Sequence, residues 1–130
     1  MPTFSYWPKA LAVVSPPVVA YVEATNNFNL EGLLDLFADD ALVNDQRRDY
    51  WRKPAIREWA ADDVVGQSLI MDVTAVIEHY GSLIVTANVG RKFDMTGLRG
   101  PLVHAYYFTV HGDRIVQLII LRNRYDIPKR

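Results

Sequence analysis

Few side chains in these 130 residues have the types and spacings that chemistry demands. There is no cysteine, which removes disulfides, thiolate nucleophiles and thiolate metal ligands together. His79, His104 and His111 are scattered over extended and turn segments, without the i, i+4 helical spacing of a metal pair, so neither a metal nor a cofactor is expected. No Gly-rich phosphate loop, H-E-x-x-H or G-x-S-x-G occurs. That leaves carboxylates, tyrosines and imidazoles moving one proton at a time. A carboxylate in an apolar cavity has a raised pKa and works as a base, and a buried tyrosine hydroxyl or histidine stabilises an oxyanion.

Bulk charge excludes other classes. The net charge is −1, too little to draw nucleic acid or an anionic membrane, so neither is expected as a partner. Arg47, Arg48, Arg52, Lys53 and Arg57 could attract an anionic ligand. Interleaved with Asp45, Asp49 and Glu58, they read first as a solvated face. No apolar run approaches the roughly 18 residues of a membrane span. The stretch MPTFSYWPKALAVVSPP has a very short apolar core, ALAVV, bracketed by prolines and preceded by no basic region. A cytoplasmic protein is the expectation.

The elements that must position any site read as follows. Residues 1–14, with Phe4, Tyr6 and Trp7, form an arm; residues 15–125 form one domain; residues 126–130 form a tail. Ser15 is placed to cap a first helix whose first turn takes Pro16 and Pro17. Val18, Tyr21, Val22, Thr25 and Phe28 share one face of it. Asn29 can cap a second helix striped by Leu30, Leu33, Leu34 and Phe37, which Asp39 and Asp40 end. A short strand Ala41–Asn44 and a polar loop 45–53 follow, then a third helix from Pro54 with Ile56, Trp59 and Ala60 inward, ending by Gly66. From Ser68 the pattern becomes extended. Leu69–His79 and Leu83–Phe93 turn at Tyr80-Gly81-Ser82, and Leu102–Val110 and Arg114–Asn123 turn at His111-Gly112-Asp113. Helices followed by a meander predict an α+β fold rather than alternating βαβ units. In Ile115–Leu121 both faces are apolar, whereas a strand with one wet face alternates. A second copy of the chain covering the outer face of the sheet is the expected partner.

One segment carries a family resemblance. Leu36–Val43, LFADDALV, followed by Trp51-x-x-Pro54-Ala55-Ile56-Arg57-Glu58-Trp59, resembles the hallmark of SnoaL-like proteins in the NTF2-like superfamily. The superfamily includes ketosteroid isomerases, polyketide cyclases and limonene epoxide hydrolases. The resemblance implies a cone-shaped α+β roll of the cystatin-like type. Three N-terminal helices would pack on a curved, mainly antiparallel sheet around a cavity for a small, largely apolar molecule. It implies an isomerase, cyclase or hydrolase without a cofactor, or alternatively a non-catalytic ligand-binding or dimeric interaction module.

Site residues follow from the resemblance one at a time. The isomerase base stands five residues after the second Asp of the motif, which here is Asp45 after Asp40. The isomerase tyrosine stands seventeen residues before the motif's first Ala, which here gives Tyr21. The third isomerase residue, a protonated aspartic acid, falls on His104 when Phe108 is the anchor and on Ala105 when Arg114-Ile115 is. Neither is an acid, so that oxyanion hole is not reproduced. The epoxide-hydrolase Asp-Arg-Asp set is absent, the last strand ending Leu121-Arg122-Asn123. Asp45, Tyr21 and His104 are thus the expected catalytic set, with Asn44, Tyr106, Asn123, Trp51 and Trp59 around the substrate. Each has a plainer role open to it: Asp45 as a strand end, Tyr21 and Trp59 as core, His104 as a core histidine.

Overall fold

A computed structural model describes residues 15–92 and 102–122. The helices are α1 (Pro16–Asn26), α2 (Leu30–Leu34) and α3 (Arg52–Trp59), the last running directly into a π-helical turn, Ala60–Val65. The strands are β1 (Phe37–Asp45), β2 (Arg48–Trp51), β3 (Leu69–His79), β4 (Ser82–Arg91), β5 (Leu102–His111) and β6 (Arg114–Arg122). They form one sheet in the order β2-β1-β6-β5-β4-β3, antiparallel throughout except where β1 runs parallel to β6. The architecture is α+β with a six-stranded, mainly antiparallel sheet, as the element order predicts. Register breaks at Val73/Ala75, Thr109/Val110 and Phe37/Leu42 bend the sheet.

The helices lie against one face. Residues alternate along each strand, so Val43, Leu83, Val85, Ala87, Phe108, Leu118 and Ile120 all point inward, where α1 and α3 bury them. Asn26 pins α1 to the sheet. Its amide nitrogen donates to the Met71 carbonyl (2.9 Å) and its Oδ1 accepts from the Met71 N–H (2.7 Å). Because β3 is the edge strand, this one side chain satisfies backbone groups that no further strand pairs.

Local expectations met three corrections. Phe37 does not close the α2 stripe: α2 stops at Leu34, and β1 starts at Phe37 and is longer than expected. Phe37 pairs with Ile115 and is fully buried, while Asp39 and Asp40 lie exposed within the strand rather than ending a helix. The polar loop after Asp45 is instead a hairpin to β2. Its turn residues Gln46 and Arg47 are both left-handed (φ 54° and 77°), a geometry whose usual Asn-Gly signal is missing here. Third, Ser15 occupies the N-cap of α1 without a side-chain capping bond; its carbonyl accepts from the Val18 and Val19 N–H groups. Asn29 does cap α2, its Oδ1 accepting from the Gly32 N–H at 3.0 Å. Both later hairpins turn where glycine permits, at Tyr80-Gly81 (φ 50° and 86°) and Gly112 (φ 66°).

Candidate active site

The inner face of the sheet brings three of the expected residues, Asp45, Tyr106 and His104, together through strand register. Asp45 lies beside Ile120 of β6, which lies beside Tyr106 of β5, then Val85 and Val76. One step along, His104 lies between Arg122 of β6 and Ala87 of β4. Asp45, Tyr106 and His104 therefore share a face and adjacent rows. Tyr21 descends onto them from α1, with ring centroids 6.1 Å from Tyr106, 5.1 Å from Phe108 and 6.3 Å from Phe37. His104 lies 6.0 Å from the Tyr106 ring.

Asp45 is partly buried and oriented. The Trp59 indole N–H donates to its Oδ2 at 2.9 Å, while Trp59 itself is buried and lies tilted against Tyr50. The residue expected to line a cavity mouth thus also fixes the carboxylate. Sequence alone gave no sign of this contact, since it joins a strand end to the last residue of a helix across 14 positions.

Burial and the Asp45 charge set the protonation of the surrounding groups. Tyr21 is wholly buried and its pKa is pushed well up, first by burial, then by Tyr106 and Asp45; the Thr25 hydroxyl opposes this without making a hydrogen bond of good geometry. Tyr106 is pushed up by burial and then by Asp45. Both phenols are therefore donors at neutral pH. Burial lowers the His104 pKa, Asp45 opposing the shift and Arg122 reinforcing it, so the imidazole is neutral. The His104 Nδ1 and Thr25 Oγ1 atoms are buried without hydrogen-bond partners among the described residues. Asp63, on the π-helical turn, is raised by partial burial first and then by Asp45 and Asp62, with Arg48 opposing. This second carboxyl within the field of Asp45 was not legible from periodicity, because a π-helical turn re-aims side chains off the helical face.

Other expected residues lie elsewhere. Asn44 is on the opposite face of β1 from Asp45, its amide donating to Asp49 Oδ1 (2.6 Å) and its carbonyl oxygen accepting from the Arg47 N–H (3.2 Å), so it braces the hairpin. Trp51 is 58% exposed where β2 passes into α3. Asn123 lies outside the described residues. Three open clefts on the described surface are lined by other groups. One, about 500 Å³, begins one residue past Asp45 and is lined by Gln46, Arg47, Leu121 and Arg122. The others, about 400 and 340 Å³, lie around Glu31 and Arg57 and beside Pro16 and Gly112.

No protein-family profile and no curated protein matches the chain. Solved structures do. A candidate polyketide cyclase from Sinorhizobium meliloti superposes with a TM-score of 0.71 at 24% identity, covering 82% of this chain and 94% of its own. An NTF2-like protein of unknown function from Cytophaga hutchinsonii gives 0.65 at 11% identity, covering 84% and 88%. A candidate ketosteroid isomerase from Kribbella flavida gives 0.67 at 13% identity, covering 88% and 87%. At these identities the shared property is the backbone, and these neighbours agree with the LFADDALV segment: the chain has the NTF2-like α+β fold.

Proposed function

We propose that this protein acts on a small, largely apolar molecule by general acid/base chemistry without a cofactor, as an isomerase, cyclase or hydrolase. The observation that carries the reading is the grouping on one sheet face. One oriented carboxylate, Asp45, stands among Tyr21, Tyr106 and a neutral His104. Asp45 is the base, accepting through the oxygen that Trp59 leaves free. Tyr21 or His104 donates to the oxyanion as charge develops; neutral donors suit this because they need no proton transfer to do so. The neighbours named for polyketide cyclase and ketosteroid isomerase chemistry are consistent with such a site.

The test is a thermal-shift screen with steroids, cyclic enones, polyketide-like aromatics and epoxides, followed by turnover of whatever binds. Asp45→Asn keeps an acceptor for Trp59 and removes the base, so activity falls by about 10²–10⁴-fold. Unchanged turnover in that variant sinks the assignment. A second reading, a ligand-binding module without catalysis, is favoured by the complete burial of Tyr21 among Phe37, Tyr106 and Phe108. Under it, ligands bind and none is transformed.

The outer sheet face fits a second copy of the chain. Ile77, Ile84, Tyr107 and Ile119 form a continuous row across four strands. Ile77 and Tyr107 are 56% and 37% exposed. A two-fold axis through such a row makes it its own complement. Light scattering of the wild type at micromolar concentration then gives a dimer, and Tyr107→Asp gives a monomer with an unchanged fold. A monomeric wild type excludes this assembly.

A further inference from the structure

A cleft of about 500 Å³ begins one residue past Asp45, and two arginines, Arg47 and Arg122, are among the residues that line it. Among the described residues, the ion pairs are Arg57–Glu31 and Arg114–Asp113, so neither cleft arginine has a carboxylate partner there. Two like charges beside one concave space repel each other, an arrangement that an anion between them relieves.

The local backbone presents one of them deliberately. The β1–β2 turn holds Gln46 and Arg47 in the left-handed region, where glycine or asparagine is the ordinary choice. Two long polar side chains are kept instead, and the Asn44 Oδ1 accepting from the Arg47 N–H fixes the turn that carries them. Arg122 arrives from the end of β6, level with His104 in the register. Leu121, 41% exposed, also lines the cleft and gives it an apolar wall.

We infer that this cleft is a binding site for a small organic carboxylate, held by Arg47 and Arg122, with its apolar part against Leu121 and Gln46 bonding at the rim. Guanidinium groups match carboxylates in a planar, bidentate way. The leucine favours a carboxylate that carries a ring or chain over inorganic phosphate, which has nothing to place against it. The site stands whether or not Asp45 is a base, because its occupant is recognised by charge and not by reaction.

Benzoate is the probe, titrated into the full chain at low ionic strength and followed by NMR, with benzamide as its neutral isostere and inorganic phosphate as the anion without an apolar part. The expected result is saturable benzoate binding that shifts the Arg47 and Arg122 Nε–H signals and the Leu121 methyls, with benzamide and phosphate each at least about tenfold weaker. Arg47→Gln and Arg122→Gln should each weaken benzoate by about tenfold or more, the scale of one lost charge-assisted bond. Should Arg122→Gln fail to fold, Arg122→Lys keeps the charge, loses the fork, and should still bind several-fold more weakly. Equal affinity for benzoate and benzamide, tighter binding of phosphate than benzoate, shifts spread over all basic residues without saturation, or full affinity in the variants would each overturn the site.

Discussion

Two neighbouring rows on the inner face of the sheet share a backbone and differ in what they hold. One runs Val43, Leu118, Phe108, Leu83; each is buried and each is a hydrocarbon. The next runs Asp45, Ile120, Tyr106, Val85, and the one beyond it contains His104 and Arg122. In the first row every contact is satisfied by packing alone. Beyond it, Trp59 answers one carboxylate oxygen in the Asp45 row, while in the His104 row the imidazole Nδ1 finds no partner among the described residues. A buried polar atom left unpaired costs about 1–3 kcal/mol. Stability therefore resides in the first row, and the rows beyond it hold a carboxylate and an unpaired imidazole nitrogen that packing alone does not explain.

The comparison can be broken by substitution. Phe108→Ala in the apolar row removes a fully buried ring stacked on Tyr106 and edge-on to Tyr21, and should cost about 3–5 kcal/mol in chemical denaturation. Asp45→Asn in the polar row should cost less than about 1 kcal/mol, since its remaining oxygen still accepts from Trp59. Similar losses for the two would end the division of labour argued here. An effect between these two is expected at the clamp that holds α1 over both rows: Asn26→Ala loses two buried hydrogen bonds and leaves Met71 backbone groups bare, for about 2–3 kcal/mol. A loss under about 0.5 kcal/mol there would mean that α1 is seated by apolar packing alone.

The smallest effect is a pH dependence that sharpens the comparison. His104 has a folded pKa below its ordinary value of 6.5 because burial disfavours the imidazolium. The unfolded chain then binds the proton more readily than the folded one, so the His104 contribution is intact above about pH 6.5. It is lost as pH falls from there toward the depressed folded value. Denaturation midpoints measured from pH 7.5 to 5 should fall in the wild type and fall less steeply in His104→Gln. Equal slopes would place the imidazole in water rather than under the aromatic cluster.

Some of this was legible residue by residue. Asn29 as a cap, Gly81 and Gly112 as turns, and the meander were visible because each depends on chemistry within a few positions. Phe37 was misread because one apolar residue after a leucine stripe fits a helix as well as a strand; only its pairing with Ile115, far along the chain, decides. Asn44 and Asp45 were both expected at the site, one beside the substrate and one as the base, and pleating sends them to opposite faces.

What the sequence by itself determined was the class of fold and the inventory: no thiol, no metal spacing, little net charge, and an aspartate and a tyrosine at the places the resemblance marks. These are properties of residue type and short spacing, and they survive without coordinates. Tertiary structure alone decided the company each group keeps. The Trp59 bond to Asp45, the Asn26 clamp on Met71 and the placing of Arg47 and Arg122 along one cleft all bring residues together through strand register and helix docking. Register is set by the summed burial of the whole sheet, and no local pattern encodes it.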